Sequence, residues 1–166
     1  MSAVVADPRS HDPKAFGVAG QDDSDAAQAR AEDTARAMWQ RDAVSKALGM
    51  RLDEIGPGRA VMQMRVRADM LNGHGTCHGG VVFSLADSCF GFACNSHGRL
   101  SVAAGCQIDY LAPTREGELL RAVGEERTRS GRTGVYDVTV SNEAGEIKAL
   151  FRGKSHAIKS GPAAPR

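Results

Sequence analysis

The chain has 166 residues, of which 25% are charged, and its formal net charge is +1 at pH 7. This length suits one domain with a hydrophobic core of its own. The near-neutral charge excludes a strong attraction to nucleic acid or to an anionic membrane surface. No apolar run approaches the length of a membrane span, and the first ten residues lack the basic start and apolar centre of a signal peptide. We therefore expect a cytoplasmic protein.

Cysteine and histidine spacing indicates neither a disulfide framework nor a metal site. The four cysteines are Cys77, Cys89, Cys94 and Cys106. They form no CxxC pair, so we expect reduced thiols that are mostly buried. His74 and His78 are four positions apart, but the glycines around them argue against a helix that would align them, and no further ligand completes a zinc set. Cys77 as a nucleophile with His78 as its general base is a weak candidate, because the side chains of adjacent residues need not face each other.

Composition divides the chain into three parts. Residues 1–27 hold prolines, glycines and the acidic run 22–25 but no apolar periodicity, which predicts a disordered leader. Residues 28–160 carry the periodic segments and are expected to form the domain. Residues 161–166 are expected to be a flexible tail.

Apolar periodicity within the domain predicts an α+β fold. The predicted elements, in chain order, are a helix over 32–48, strands over 50–55 and 59–66, a helix over 81–93, and strands over 101–111, 119–128, 134–141 and 146–158. Short turns between the strands predict antiparallel pairing. The second helix is apolar on every side, so it can be buried only if the sheet curls around it. One face of this helix would still lie open in a single chain, and a second copy of the chain would cover it.

A glycine-broken polar loop, residues 72–80, leads into this apolar helix. The first backbone N–H groups of a helix have no intrahelical acceptor, and the helix dipole adds positive character to them. Such donors suit a carbonyl oxygen that becomes an oxyanion, and a glycine such as Gly79 lets a ligand approach closely. Tight packing of the helix on the sheet explains the same glycines equally well.

Asp87 is the single charged residue of the apolar helix. Burial of its carboxylate would raise its pKa. Such a group can act as a general base towards water or as a nucleophile towards an acyl group. It can equally be a structural acceptor of hydrogen bonds from a neighbouring loop.

The spacing of Gly79 and Asp87 constrains any joint role. Eight helical positions separate them by about 12 Å along the helix axis. A base and an oxyanion donor must each lie within about 3 Å of the reacting group. Two antiparallel helices related by a two-fold axis meet this requirement, with Gly79 of one chain facing Asp87 of the other. If both residues are catalytic, the protein is an obligate dimer with two sites.

Several motifs together resemble the hotdog-fold acyl-CoA thioesterases, and most of all their phenylacetic-acid-degradation (PaaI-type) branch. The motifs are Asn72-Gly73-His74, Cys77-His78-Gly79-Gly80, Leu85-Ala86-Asp87, Thr133-Gly134-Val135-Tyr136-Asp137 and Phe151-Arg152-Gly153-Lys154-Ser155-His156. The resemblance runs from about Arg36 to Lys159. It implies a hotdog fold, in which a curled antiparallel sheet of five to six strands wraps around one long helix.

The resemblance also implies roles for single residues. Asp87 would be the general base or nucleophile, and the Gly79 N–H would polarise the thioester carbonyl. Asn72 would position the attacking water or the substrate, and His78 would support the loop. Coenzyme A would be part of the substrate, so no separate cofactor is implied. The residues implied for its phosphates are Lys154, Ser155, Arg132 and Arg152. Phe83 and Phe90 would line the pocket for the acyl group.

The function implied is hydrolysis of phenylacetyl-CoA or hydroxyphenylacetyl-CoA thioesters in the breakdown of aromatic compounds. The partners implied are the acyl-CoA substrate and a second copy of the chain, with dimers pairing into tetramers, and neither nucleic acid nor a membrane. Two alternatives stay open. One is an acyl-CoA hydratase or dehydratase on the same fold, and the other is a protein that binds acyl-CoA without turning it over.

Overall fold

The computed structural model of the protein describes residues 19–158. The helices are α1 (Ala19–Arg41), α2 (Ala43–Ala47) and α3 (Gly79–Asn95), with a short 3-10 turn at Ala68–Met70. The strands are β1 (Arg51–Gly56), β2 (Arg59–Arg65), β3 (Ser101–Tyr110), β4 (Leu119–Ser130), β5 (Thr133–Ser141) and β6 (Ile147–Ala157). Within the described range, no helix is long and apolar enough to cross a membrane.

The six strands form one antiparallel sheet in the order β1-β2-β4-β5-β6-β3. The sheet curls around α3, which contacts every strand. The predicted α+β architecture, with a curled sheet around one apolar helix, is therefore confirmed, and the number of strands is six.

Alternation along the strands gives the sheet a buried and an exposed face. In β5 the side chains of Tyr136, Val138 and Val140 are buried, and in β6 the same holds for Phe151. The period of two is that of a half-buried strand. At Gly153 the backbone lies so close to α3 that an added Cβ would be 2.8 Å from the Phe90 ring, so the glycine permits the close packing of helix and sheet.

Strand β3 lies at one edge of the sheet. It pairs only with β6, and its register shifts between Ala103 and Gly105. Several of its side chains are exposed, among them Val102 and Tyr110. No described strand pairs with its other edge. An exposed edge with apolar side chains is a surface that a second chain can extend.

The first helix begins earlier than the sequence predicts. The prediction placed its start at residue 32, whereas α1 starts at Ala19. The segment contains seven alanines, three glutamines and three arginines, which favour helix, and Ala31 and Ala35 are buried on its inner face. Gln28 anchors it, because its side chain donates to the Ile55 carbonyl oxygen at 2.8 Å.

Two corrections follow for the predicted leader and helix. Residues 19–27 of the predicted leader are helical, because alanine favours helix and forms the inner face of α1. A pattern of larger apolar residues, on which the prediction depends, is absent there. The predicted helix is also divided, because the Asp42 side chain accepts the Ser45 N–H at 2.9 Å and caps α2 separately. The rest of the predicted leader, residues 1–18, and the predicted tail, residues 161–166, lie outside the described residues.

Candidate active site

The start of α3 leaves one backbone donor free. His78 is the N-cap, and its Nδ1 accepts the Gly80 N–H at 2.9 Å. The His78 carbonyl oxygen accepts the N–H groups of Val81 at 2.8 Å and of Val82 at 3.4 Å. In the part of the chain that the structure describes, the Gly79 N–H has no acceptor. This donor is available to a ligand oxygen, with the positive end of the helix dipole behind it.

A cleft of about 320 Å³ lies beside this donor and is called here the Gly79 cleft. It runs between the start of α3 and the segment that follows β3. Its lining includes Gly79, Val82, Tyr110, Leu111, Pro113 and Lys148. The walls therefore mix apolar side chains with two threonines, Thr76 and Thr114, and a single cationic side chain.

That cation, Lys148, is almost fully buried. Its Nζ donates to the Pro113 carbonyl oxygen at 3.0 Å and forms ion pairs with Glu146 at 2.6 Å and Glu118 at 3.0 Å. Burial by itself lowers the pKa of Lys148, but the hydrogen bonds and charges of Glu146 and Glu118 outweigh it, so the pKa is raised. The three contacts fix the wall of the Gly79 cleft. Sequence reasoning missed this residue, although a lysine in an apolar strand was an available signal.

Asn72 organises the loop that precedes α3. Its side-chain oxygen accepts the N–H groups of His74 at 2.9 Å and Thr76 at 3.3 Å, and its amide nitrogen donates to the Thr76 hydroxyl at 3.1 Å. This is an Asx-type turn. In the single chain the side-chain oxygen of Asn72 and one of its two amide N–H groups are thus bonded within its own loop.

Asp87 lies two turns further along α3 and is half-buried. Burial raises the pKa of its carboxyl group, and a hydrogen bond from the Cys106 thiol, with Sγ 3.7 Å from Oδ1, partly offsets the rise. Although Cys106 as a residue is exposed, local burial of its sulfur and the charge of Asp87 raise the pKa of the thiol to about 11. The thiol is therefore protonated at neutral pH and acts as the donor.

Asp87 does not line the Gly79 cleft. Within one chain the Gly79 N–H and the Asp87 carboxylate therefore do not face the same cleft, as their spacing along the helix predicts. The face of α3 that carries Asp87 is also partly open. Phe83 is only half-buried, and an added Cβ on Gly91 would meet no atom within 4 Å.

The two phenylalanines expected around the acyl group have different surroundings. Phe83 lies on the open face of α3 and makes an edge contact with Phe151, with ring centroids 5.5 Å apart. Phe90 is 1% exposed and packs against Phe151 and Tyr136. The expectation for Phe90 is corrected, because the sheet covers its side of the helix and makes it a core residue.

The residues expected at the coenzyme A phosphates do not form one cluster. Ser155 is buried on the inner face of β6, whereas Arg152 and Lys154 are exposed on the outer face. Arg152 is paired with Asp137 at 2.6 and 2.8 Å. Arg132 donates to the Ala157 carbonyl oxygen at 2.8 Å. Strand alternation prevents Ser155 and Lys154 of one chain from contacting the same phosphate.

Lys154 differs from Arg152 in its partners, because it has no carboxylate partner among residues 19–158. His78 likewise has no acidic partner in that range. The described residues contain no group of three or more His, Cys, Asp or Glu side chains able to hold a metal ion. The four cysteines are free thiols, and all except Cys106 are buried.

Comparison with known proteins identifies the family. Residues 74–149 match the thioesterase superfamily. Acyl-coenzyme A thioesterase PaaI of Escherichia coli (strain K12) is 48% identical over 129 residues, which cover 78% of this chain and 92% of that protein. The chain belongs to the hotdog-fold acyl-CoA thioesterases, in the phenylacetic-acid-degradation branch.

Solved structures agree with this assignment. The structure of the E. coli PaaI protein from the phenylacetic acid degradation operon has a TM-score of 0.79 and 47% identity, covering 80% of this chain and 96% of that one. A hypothetical thioesterase protein from Streptococcus pneumoniae, solved with coenzyme A, has a TM-score of 0.63 and 26% identity, covering 65% of this chain and 87% of that one.

Proposed function

We propose that the protein hydrolyses phenylacetyl-CoA and hydroxylated phenylacetyl-CoA thioesters to the free acid and coenzyme A. The observation that carries the proposal is the unpaired N–H of Gly79 beside a partly apolar cleft. Membership of the thioesterase family supports the reaction. The similarity to a protein of the phenylacetic acid degradation operon supports the aromatic acyl group.

In the proposed reaction the thioester carbonyl oxygen accepts a hydrogen bond from the Gly79 N–H. The Asp87 carboxylate removes a proton from water as the water oxygen bonds to the thioester carbon. The negative charge that develops on the carbonyl oxygen is held by Gly79. When the carbon–sulfur bond breaks, the coenzyme A thiolate takes the proton from Asp87, and the carboxylate is restored.

Direct attack by Asp87 on the thioester carbon is the other route. It would form an anhydride with the acyl group and release the thiolate before water enters. A single turnover in heavy-oxygen water distinguishes the routes. Label in Asp87 indicates an anhydride that water opens at the Asp87 carbon, and an acylated protein detected by mass after rapid quenching indicates an anhydride that water opens at the acyl carbon. Label in the product alone, with no acylated protein, indicates direct water attack.

We further propose that each site is shared between two subunits, with Gly79 from one and Asp87 from the other. The separation of about 12 Å along α3 supports this arrangement. So do the open face of α3 and the unpaired edge of β3, because both lie where a second copy can dock. Pairing of such dimers into tetramers belongs to the same proposal.

The reaction is tested by removing the Gly79 N–H. Gly79 is the first residue of α3, where proline is well tolerated, and His78 already has the extended conformation, with φ −60° and ψ 130°, that a following proline requires. Gly79→Pro is expected to lower kcat by about a hundredfold or more. Gly79→Ala keeps the N–H and is the matched control for added bulk, so it should lose much less.

Free thiol released from a panel of acyl-CoA thioesters measures the activity. Phenylacetyl-CoA and its ring-hydroxylated forms are expected to have the highest kcat/KM. Tight binding without thiol release across the whole panel would instead indicate a non-catalytic acyl-CoA-binding protein. Hydration of an unsaturated acyl-CoA that is lost in His78→Ala would indicate a hydratase.

Complementation between subunits tests the shared site. Asp87→Asn and Gly79→Pro are each expected to be inactive as homodimers. After unfolding and refolding together, a heterodimer contains one site with both residues intact. Half of the randomly paired dimers are heterodimers, and each heterodimer has one of its two sites intact. About a quarter of wild-type activity should therefore return. No recovered activity in a sample with proven subunit exchange would refute the shared site.

The role of Lys154 in holding a coenzyme A phosphate is tested separately. Lys154→Gln is expected to raise KM for acyl-CoA and to leave kcat unchanged, since a phosphate far from the thioester binds equally well in the ground and transition states. The same substitution should have little effect on a pantetheine thioester, which lacks those phosphates.

A further inference from the structure

We infer that Tyr110 is a positioning residue for the oxyanion donor. The inference rests on the proposed role of Gly79. Tyr110 is the last residue of β3, and its side chain reaches back across the Gly79 cleft to the start of α3. Its hydroxyl donates to the Gly79 carbonyl oxygen at 2.9 Å.

The hydrogen bond completes the fixing of the peptide between Gly79 and Gly80. The N–H of this peptide donates to His78 Nδ1, and its carbonyl oxygen accepts from Tyr110. The preceding peptide is held through the His78 carbonyl oxygen, which accepts the Val81 N–H. Both peptides that flank the Gly79 Cα are thus fixed, so the free N–H points in one direction. Donors fixed before the reaction stabilise an oxyanion without a cost of reorganisation.

The ring of Tyr110 also packs directly against Gly79. A Cβ added at Gly79 would lie 3.1 Å from Tyr110 Cζ and 3.2 Å from its hydroxyl oxygen. A side chain at position 79 would therefore displace the Tyr110 ring by a few tenths of an ångström. The ring also forms part of the lining of the Gly79 cleft.

Two further contacts join the same parts of the chain. The Cys77 N–H donates to the Thr114 carbonyl oxygen at 2.8 Å, and the N–H of Leu111 donates to the Lys148 carbonyl oxygen at 2.9 Å. The segments before Gly79 and after Tyr110 are therefore tied to each other and to β6. Tyr110 can fix the Gly79 peptide because its own backbone is held.

The first test is Tyr110→Phe, which removes the hydroxyl and keeps the ring. Loss of one hydrogen bond that aligns the donor is expected to lower kcat about three- to tenfold. KM and the affinity for an unreactive thioether analogue should stay within about twofold. The matched control is Tyr136→Phe, since the Tyr136 hydroxyl bonds Glu126 at the other end of the domain. That variant should lower Tm and leave kcat unchanged.

The second test is a double-mutant cycle between the two positions. Tyr110→Leu is expected to lower kcat and Tm in the wild-type background. In the Gly79→Ala background the loss of Tm should be smaller, because the substitution also removes the atoms that crowd the new methyl group. A loss of Tm that depends on the residue at position 79 shows that the contact is direct.

The outcomes separate this inference from the proposed function. If the wild-type protein releases thiol but Tyr110→Phe has an unchanged kcat, or if the effects on Tm are additive, Tyr110 does not position Gly79. If the wild-type protein releases no thiol from any thioester, the proposed function fails, and the Tm cycle still decides whether the contact exists.

Discussion

At the residue scale, the environment of Asp87 decides how the proposed base behaves. Burial holds its pKa above the ordinary value, while the Cys106 thiol opposes this by donating a hydrogen bond to the carboxylate. A base with a raised pKa accepts a proton from water more readily, but it is ionised over a narrower pH range. The two neighbours therefore set the acidic limit of activity.

The first prediction concerns Cys106. Cys106→Ala removes the donor that stabilises the ionised form of Asp87, so the pKa of Asp87 rises. The acidic limb of the pH profile of kcat/KM is expected to move to higher pH. Cys106→Ser retains a donor and should leave the limb close to its wild-type position. A limb that does not move in Cys106→Ala would show that Asp87 is not the group that titrates.

The second prediction concerns the stability cost of Asp87. The pKa of Asp87 is higher in the folded than in the unfolded protein. Its contribution to the free energy of unfolding is therefore fully present below the unfolded pKa, and it is lost as the pH rises through the folded pKa. At neutral pH the ionised, half-buried carboxylate destabilises the fold. Asp87→Asn is therefore expected to raise Tm near neutral pH while it abolishes turnover. The gain in Tm should shrink as the pH falls towards about 4, the ordinary value for aspartate.

At the element scale, β6 connects the sheet to the Gly79 cleft. Its outer face carries Arg152 and Lys154, and its inner face carries Phe151 and Ser155. Lys148, near the start of the strand, departs from this division because its charge is buried. It holds the segment after β3 through Pro113 and forms ion pairs with two glutamates.

The third prediction concerns this buried lysine. Lys148→Met keeps the aliphatic stem but leaves Glu118 without its cation and Pro113 without a donor. Loss of these contacts to Glu118 and Pro113 is expected to lower the free energy of unfolding by about 1–3 kcal/mol, measured by urea denaturation. Lys154→Met, an exposed lysine on the same strand, is the control and should change it by about 0.5 kcal/mol or less. Equal effects would show that the buried network is unimportant for stability.

At the scale of the whole molecule, α3 and β3 each leave a surface that a second copy of the chain could cover. The open face of α3 carries Asp87, and β3 has an unpaired edge with exposed apolar side chains. A second copy of the chain would cover both features and would complete the site. Assembly and activity are therefore expected to be lost together.

The fourth prediction concerns the β3 edge. Val102→Lys places a charge on this edge and is expected to weaken the dimer, so that specific activity falls on dilution. Ile147→Lys is the control, because Ile147 has nearly the same exposure, 44% against 45% for Val102, but lies on β6 beyond the end of β3. Sedimentation and activity should change in parallel. Activity independent of concentration in a monomeric Val102→Lys protein would contradict the shared site.

The elements themselves were largely predictable from local patterns. The hairpin at Gly56–Gly58, the apolar helix and the later strands all follow from periodicity and turn residues, which act over a few positions. The start of α1 was missed, because its inner face consists of alanines rather than large apolar residues. Alternation along a strand predicts that the neighbours Lys154 and Ser155 lie on opposite faces of the sheet, which the expected phosphate site does not take into account.

By itself the sequence determined that the long helix packs inside the sheet, that Asp87 is its one charge, and that Gly79 and Asp87 are too far apart to act on one group within one chain. These conclusions depend only on side-chain periodicity and on the rise per residue of a helix. Only the tertiary structure decided that Tyr110 contacts Gly79, that Cys106 contacts Asp87, and that the Lys148 charge is neutralised. Each of these contacts joins residues 19 or more positions apart, except the pair of Lys148 with Glu146. Such contacts depend on which strands pair and in what register, and the packing of the whole sheet on α3 fixes both.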